Sequence, residues 1–158
     1  MASWQFHSLI FSRYIENHDI PEAYKRIFLL GCFAPDLVSR QRDKKETHLG
    51  VGVSRMPLFF QMRTHRAKCT QDMADPDMLW FYKGYLLHME TDACWIRHCM
   101  HPFALKYLMS GGKWKDTGIA YYDDMIEVDK YYRSKYAEYQ SEAEVMELLK
   151  DTKEPAFL

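Results

Sequence analysis

The chain has 158 residues, enough for one domain to bury a core without staples. Its 21 basic residues nearly balance 22 acidic ones, and the net charge of −1 recommends neither nucleic acid nor an anionic membrane as partner. Hydrophobic residues at 47% and aromatics at 15% fit a packed helical core with an aromatic-lined cleft.

Phe6, Leu9, Ile10, Tyr14 and Ile15 recur at helical spacing and predict a first helix over residues 4–17. Asn17-His18-Asp19 breaks it, and Pro21 opens an apolar second helix that cannot continue normally through Ala34-Pro35. Asp36 thus falls at a helix-to-loop transition. Residues 39–55 lack periodicity and read as a long loop containing His48, and residues 57–69 read as a further helix. Asp75 is placed to cap a helix whose first residue is Pro76 and which runs to about His98. Met100-His101-Pro102 should kink or restart it, and 110–118 should be a surface loop. A long helix follows over 119–139, and Ser141-Glu-Ala-Glu144 is a capping box before a short last helix. No strand or repeat is evident. The expected fold is all-α, a single-domain helical bundle over residues 1–158 with the segment from 78 to 98 at its centre.

Cys32, Cys69, Cys94 and Cys99 have no C-x2-C spacing and read as reduced core thiols. The first residues lack a basic, then apolar, export signal, no stretch approaches the ~20 apolar residues of a membrane span, and no membrane-binding amphipathic helix stands out. A cytoplasmic protein is the expectation.

The chemistry centres on Gly84-Tyr-Leu-Leu-His88-Met-Glu-Thr-Asp92. One helical turn sets imidazole beside carboxylate among large apolar neighbours, where a carboxylate facing inward must be paired or must bind a cation. Gly84, one turn before His88, would leave room for an ion or a substrate atom. A structural His–Asp ion pair is the plain alternative. Further nitrogen and oxygen donors stand at His7, Asp36, His48, His98 and Asp124, a mixture suited to zinc and also to manganese or iron. Asp124 reads more readily as part of a solvated face than as a ligand.

The H-x3-D-x5-H run of His88, Asp92 and His98, with Gly84-Tyr85 before it and with Pro35-Asp36 and His48, resembles the bacterial zinc-dependent phospholipase C family, whose helical fold is shared with P1-type nucleases. The resemblance implies that Asp36, His48, His88 and Asp92 form the principal site. It further implies that His7 completes a second ion bridged by Asp92, and that His98 belongs to a further site. Two features depart from the pattern: Trp4 is not an amino-terminal tryptophan ligand, and no histidine after His101 completes a third metal.

The expected function is hydrolysis of a phosphoester with water activated by one or two ions, Asp36 being able to act as general base. Arg40, Arg42, Lys44 and Lys45 could hold the phosphate of a small molecule or phospholipid headgroup. The alternatives are an HD-type phosphohydrolase acting on a nucleotide, for which His18-Asp19 is the one adjacent His-Asp pair, and a non-catalytic helical interaction protein.

Overall fold

Ser3 starts the first helix, α1 (Trp4–Asn17), by accepting a hydrogen bond from the Phe6 amide. The computed structural model of the chain describes residues 2–37, 48, 74–138 and 140–152. A 3-10 turn (Glu22–Tyr24) leads into α2 (Lys25–Phe33), and Ala34–Asp36 form the turn that follows it. Asp75 caps α3 (Pro76–Trp95), accepting from the Asp77 amide with proline at the first helical turn. A π-helical turn (Ile96–Met100) then connects to α4 (His101–Met109). A 3-10 turn (Trp114–Asp116) precedes α5 (Thr117–Lys135), and α6 (Glu142–Leu149) starts from the capping box of Ser141 and Glu144. The fold is all-α, with no strand among the described residues. The expected loop over 39–55, apart from His48, and the expected helix over 57–69 lie outside them.

Helix α3 is the scaffold of the site. Its buried residues Phe81, Gly84, His88, Thr91, Asp92 and Trp95 follow helical spacing along one side, with Met89 beside them. Its upper half meets a core of Phe11, Phe28, Leu30, Cys32 and Phe33, closed from the far side by Val145 and Leu149 of α6. Its lower half, at Trp95, packs with Ala2, Tyr121 and Met125. The Trp95 indole N–H donates to the Tyr121 hydroxyl and so joins α3 to α5.

Two glycines decide how closely α2 and α3 approach. A Cβ added at Gly84 would lie 2.0 Å from the Phe28 carbonyl oxygen, and one at Gly31 would lie 2.0 Å from that of Phe81. Each glycine therefore accepts the backbone of the other helix. The space beside Gly84 is filled by α2, which corrects the expectation that it was left for an ion or a substrate atom. The cysteines also differ from expectation: Cys32 is buried, but Cys99 is half-buried and Cys94 exposed.

Candidate metal centre

The close crossing brings the Cys32 carbonyl to 2.8 Å from His88 Nδ1. That carbonyl accepts only from a protonated Nδ1, so Nε2 carries the lone pair and points into the cluster. His7, one turn along α1 from Ser3, stacks on the His88 ring at 4.1 Å between centroids, and Phe11 covers His7 from the next turn. His48 meets His88 edge to face.

Five donor residues converge here. His7 Nε2 lies 3.3 Å from Asp92 Oδ1, and His48 Nε2 lies 3.4 Å from Asp36 Oδ1. Asp92 Oδ2 is 3.7 Å from His48 Nε2 and 3.8 Å from His88 Nε2, while the two Nε2 atoms of His48 and His88 are 3.4 Å apart. Two sets can be drawn, His7 with His88 and Asp92, and Asp36 with His48 and His88; within each set the donor atoms all lie within 4.8 Å of one another. His88 belongs to both.

These distances suit a cation better than they suit hydrogen bonds. Two tetrahedral ligands each 2.0–2.2 Å from zinc stand about 3.4 Å apart. The His7 ring nitrogens and Asp92 Oδ2 are buried and have no hydrogen-bond partner among the described residues, the His7–Asp92 contact being close but poorly directed. Such atoms are costly unless a charge or an ion satisfies them. Asp92 Oδ1 accepts from the Ala2 amide at 2.9 Å, which helps to fix the carboxylate.

Burial, reinforced by the nearby His7, pushes the pKa of His88 down to about 3. It is a neutral ligand at ordinary pH. Burial alone would raise the Asp92 carboxyl; its close contact with His7, the neighbouring His88 ring and the hydrogen bond from the Ala2 amide outweigh that and hold it below its ordinary value. An ionised Asp92 and a neutral His88 are the protonation states that metal binding requires.

The structure thus brings together His7, Asp36, His48, His88 and Asp92. His98 and Asp124 lie outside the cluster, both exposed. His98 sits about 80° around an unbroken helix from His88, and the π-helical turn that contains it changes the register further. Asp124 is one residue before the buried Met125, on the wet side of α5. Sequence reasoning missed the Cys32 carbonyl and the Ala2 amide, since backbone groups have no residue-type signature. The Gly31 and Gly84 pair was the available clue to the helix approach that supplies the carbonyl.

His18, the candidate for an HD-type pair, is exposed and stacks on Tyr14 with Nδ1 at the Tyr14 carbonyl, capping α1 far from the cluster's buried donors. No helix among the described residues is long and apolar enough to cross a membrane. No curated protein and no solved structure matches the chain significantly. A family model described as zinc dependent phospholipase C matches residues 6–156, nearly the whole chain and every donor of the cluster. The chain belongs to the zinc-dependent phospholipase C family.

Proposed function

We propose that this protein is a metal-dependent phosphoester hydrolase, formed as one domain over residues 1–158, in which His7, Asp36, His48, His88 and Asp92 hold one or two ions. Zinc is the ion named by the family, and manganese or iron would accept the same nitrogen and oxygen donors. The observation that carries the proposal is the position of His48 Nε2, 3.4 Å from both His88 Nε2 and Asp36 Oδ1. An ion within reach of both Nε2 atoms and of Asp36 Oδ1 would be held by three donors at once.

When bound, the ion would lower the pKa of a water toward about 7 and polarise a phosphoryl oxygen. The remaining work belongs to the side chains. Asp36 is the most open of the acidic donors, its side chain 13% exposed against 0% for Asp92. That openness supports Asp36 as the carboxylate that takes a proton from the attacking water. The Cys32 carbonyl keeps His88 in one tautomer, and stacking of His7 between Phe11 and His88 keeps that ring from rotating. Arg40, Arg42, Lys44 and Lys45 are candidates to hold the phosphate of a soluble phosphoester or a phospholipid headgroup.

Elemental analysis of protein purified without added metal tests the first half of this reading. Turnover of chromogenic phosphodiester, phosphomonoester and phosphocholine substrates, with zinc, manganese and iron supplied separately, tests the second. Bound metal and turnover, both lost in Asp92→Asn, are expected. A metal-free folded protein that turns over none of the substrates would leave the interaction-protein alternative in its place.

A further inference from the structure

The near-neutral charge of the whole chain hides a local imbalance. From Ala93 to Lys115 there is no acidic residue, while Arg97, Lys106, Lys113 and Lys115 are basic and all exposed. The same stretch contains α4, most of whose residues are apolar and none of which is buried. Where α4 turns back into α5, Met109 is 80% exposed, Trp114 77% and Ile119 68%, with Leu105 at 61% one turn before Met109. Exposed apolar residues are ordinary singly, but a group of large ones beside the bases Lys106, Lys113 and Lys115, with Asp116 and Asp123 only on its α5 side, marks an interaction surface.

The hairpin that carries this group is well built. Gly111 reverses the chain with a φ of 92°, Phe103 packs edge-on against Tyr121 at 5.5 Å, and Gly112 lies where a Cβ would strike the Tyr107 ring. Trp114 is thereby presented between Lys113 and Lys115 at a defined turn. An exposed tryptophan with an apolar body and a polar N–H, flanked in sequence by two exposed lysines whose long stems can lie on apolar surface, matches the headgroup layer of a bilayer.

Charge selects among possible occupants. A second copy of this surface would bring four more basic groups against the first. The segment 38–73 has eight basic and three acidic residues and is repelled likewise. We propose that the α4–α5 turn, with Leu105, Met109, Trp114 and Ile119 as its apolar face and Lys106, Lys113 and Lys115 as its rim, docks this protein onto a bilayer containing anionic lipid. The docking deepens the phosphoester reading by naming a membrane surface as the place where substrate is met. It is read as binding, so it stands or falls separately from turnover.

The experiment is cosedimentation of the full zinc-supplemented chain with vesicles of phosphatidylcholine alone and of phosphatidylcholine mixed with phosphatidylglycerol. Binding is expected to the mixed vesicles only, to weaken with salt, and to fall about tenfold in Trp114→Ala and in the Lys113→Glu, Lys115→Glu double variant. Lys150→Glu, at the cap that ends α6, should bind as the unaltered chain does. Brominated lipid should quench tryptophan emission in the unaltered chain and much less in Trp114→Ala, whose exposed position leaves circular dichroism and zinc content unchanged. The proposal is overturned if the mixed vesicles sediment no protein, or if the turn variants bind like the unaltered chain. A lipid-free dimer that Trp114→Ala converts to monomer would also overturn it.

Discussion

The Cys32 carbonyl oxygen and His88 Nδ1, 2.8 Å apart, tie the backbone of α2 to the one imidazole shared by both donor sets. Because His88 stands in both sets, its removal is expected to disable both, whereas removal of His7 or His48 would take a donor from one. His88→Ala is therefore expected to lower zinc affinity by about 100-fold or more, beyond the effect typical of losing a group that only orients a ligand. His7→Ala should cost less. Isothermal titration of metal-stripped protein measures both, and equal losses in the two variants would refute the shared role.

Gly84 predicts the stability of the same contact. In Gly84→Ala the new Cβ meets the Phe28 carbonyl at 2.0 Å and the Cys32 amide at 2.8 Å, backbone atoms that no rotamer change can move aside. The gain in helix propensity, about 1 kcal/mol, is outweighed by overpacking that typically costs about 1–3 kcal/mol, and by more where backbone must separate. A lowered thermal midpoint is expected together with weaker zinc binding, since parting α2 from α3 draws the carbonyl off His88. Gly118→Ala is the contrast: its Cβ meets nothing within 4 Å and should leave the midpoint unchanged or slightly raised. Thermal melts followed by circular dichroism decide the order.

What could be read in advance divides along physical lines. Apolar periodicity and capping chemistry are local, so α1, the Asp75–Pro76 start of α3 and the Ser141–Glu144 box were legible. The all-α class follows from the same signals. His88 and Asp92 were legible as a pair because one helical turn separates them. The partner of Gly84 was not, because the close packing of α2 there depends on long-range contact, and the small residue was open to being read as a cavity. His98 shared the motif's spacing, yet the π-helical turn, which has no simple residue code, carries it to the surface. The basic apolar turn at Trp114 was obscured by whole-chain charge, which averages an acid-free stretch with the acidic helix that follows it.

The depressed pKa of His88 gives stability a definite pH dependence. Its folded value is about 3 against 6.5 for an ordinary histidine, so between those limits the unfolded chain binds the proton and the folded chain does not. Unfolding is then favoured progressively as pH falls below about 6.5, and the lowered carboxyl of Asp92 acts in the same direction at the acid end. The thermal midpoint of metal-stripped protein should fall steadily from neutral pH toward pH 4 or so. His88→Ala should flatten part of that slope. A midpoint independent of pH across the window, or an identical slope in the variant, would contradict a buried neutral His88.

Asp36 offers the sharpest separation of metal holding from proton transfer. Its side chain is 13% exposed, while His48, His88 and Asp92 are almost wholly enclosed. Asp36→Asn keeps an oxygen near His48 but cannot accept a proton near neutral pH. If Asp36 takes the proton of the attacking water, the variant should retain most of its zinc through His7, His48, His88 and Asp92. Its kcat should fall by about 10²–10⁴, the usual range for loss of a general base, with KM little changed. Zinc lost in parallel with activity would make Asp36 a metal-holding residue only, and the base would have to be sought elsewhere around the opening.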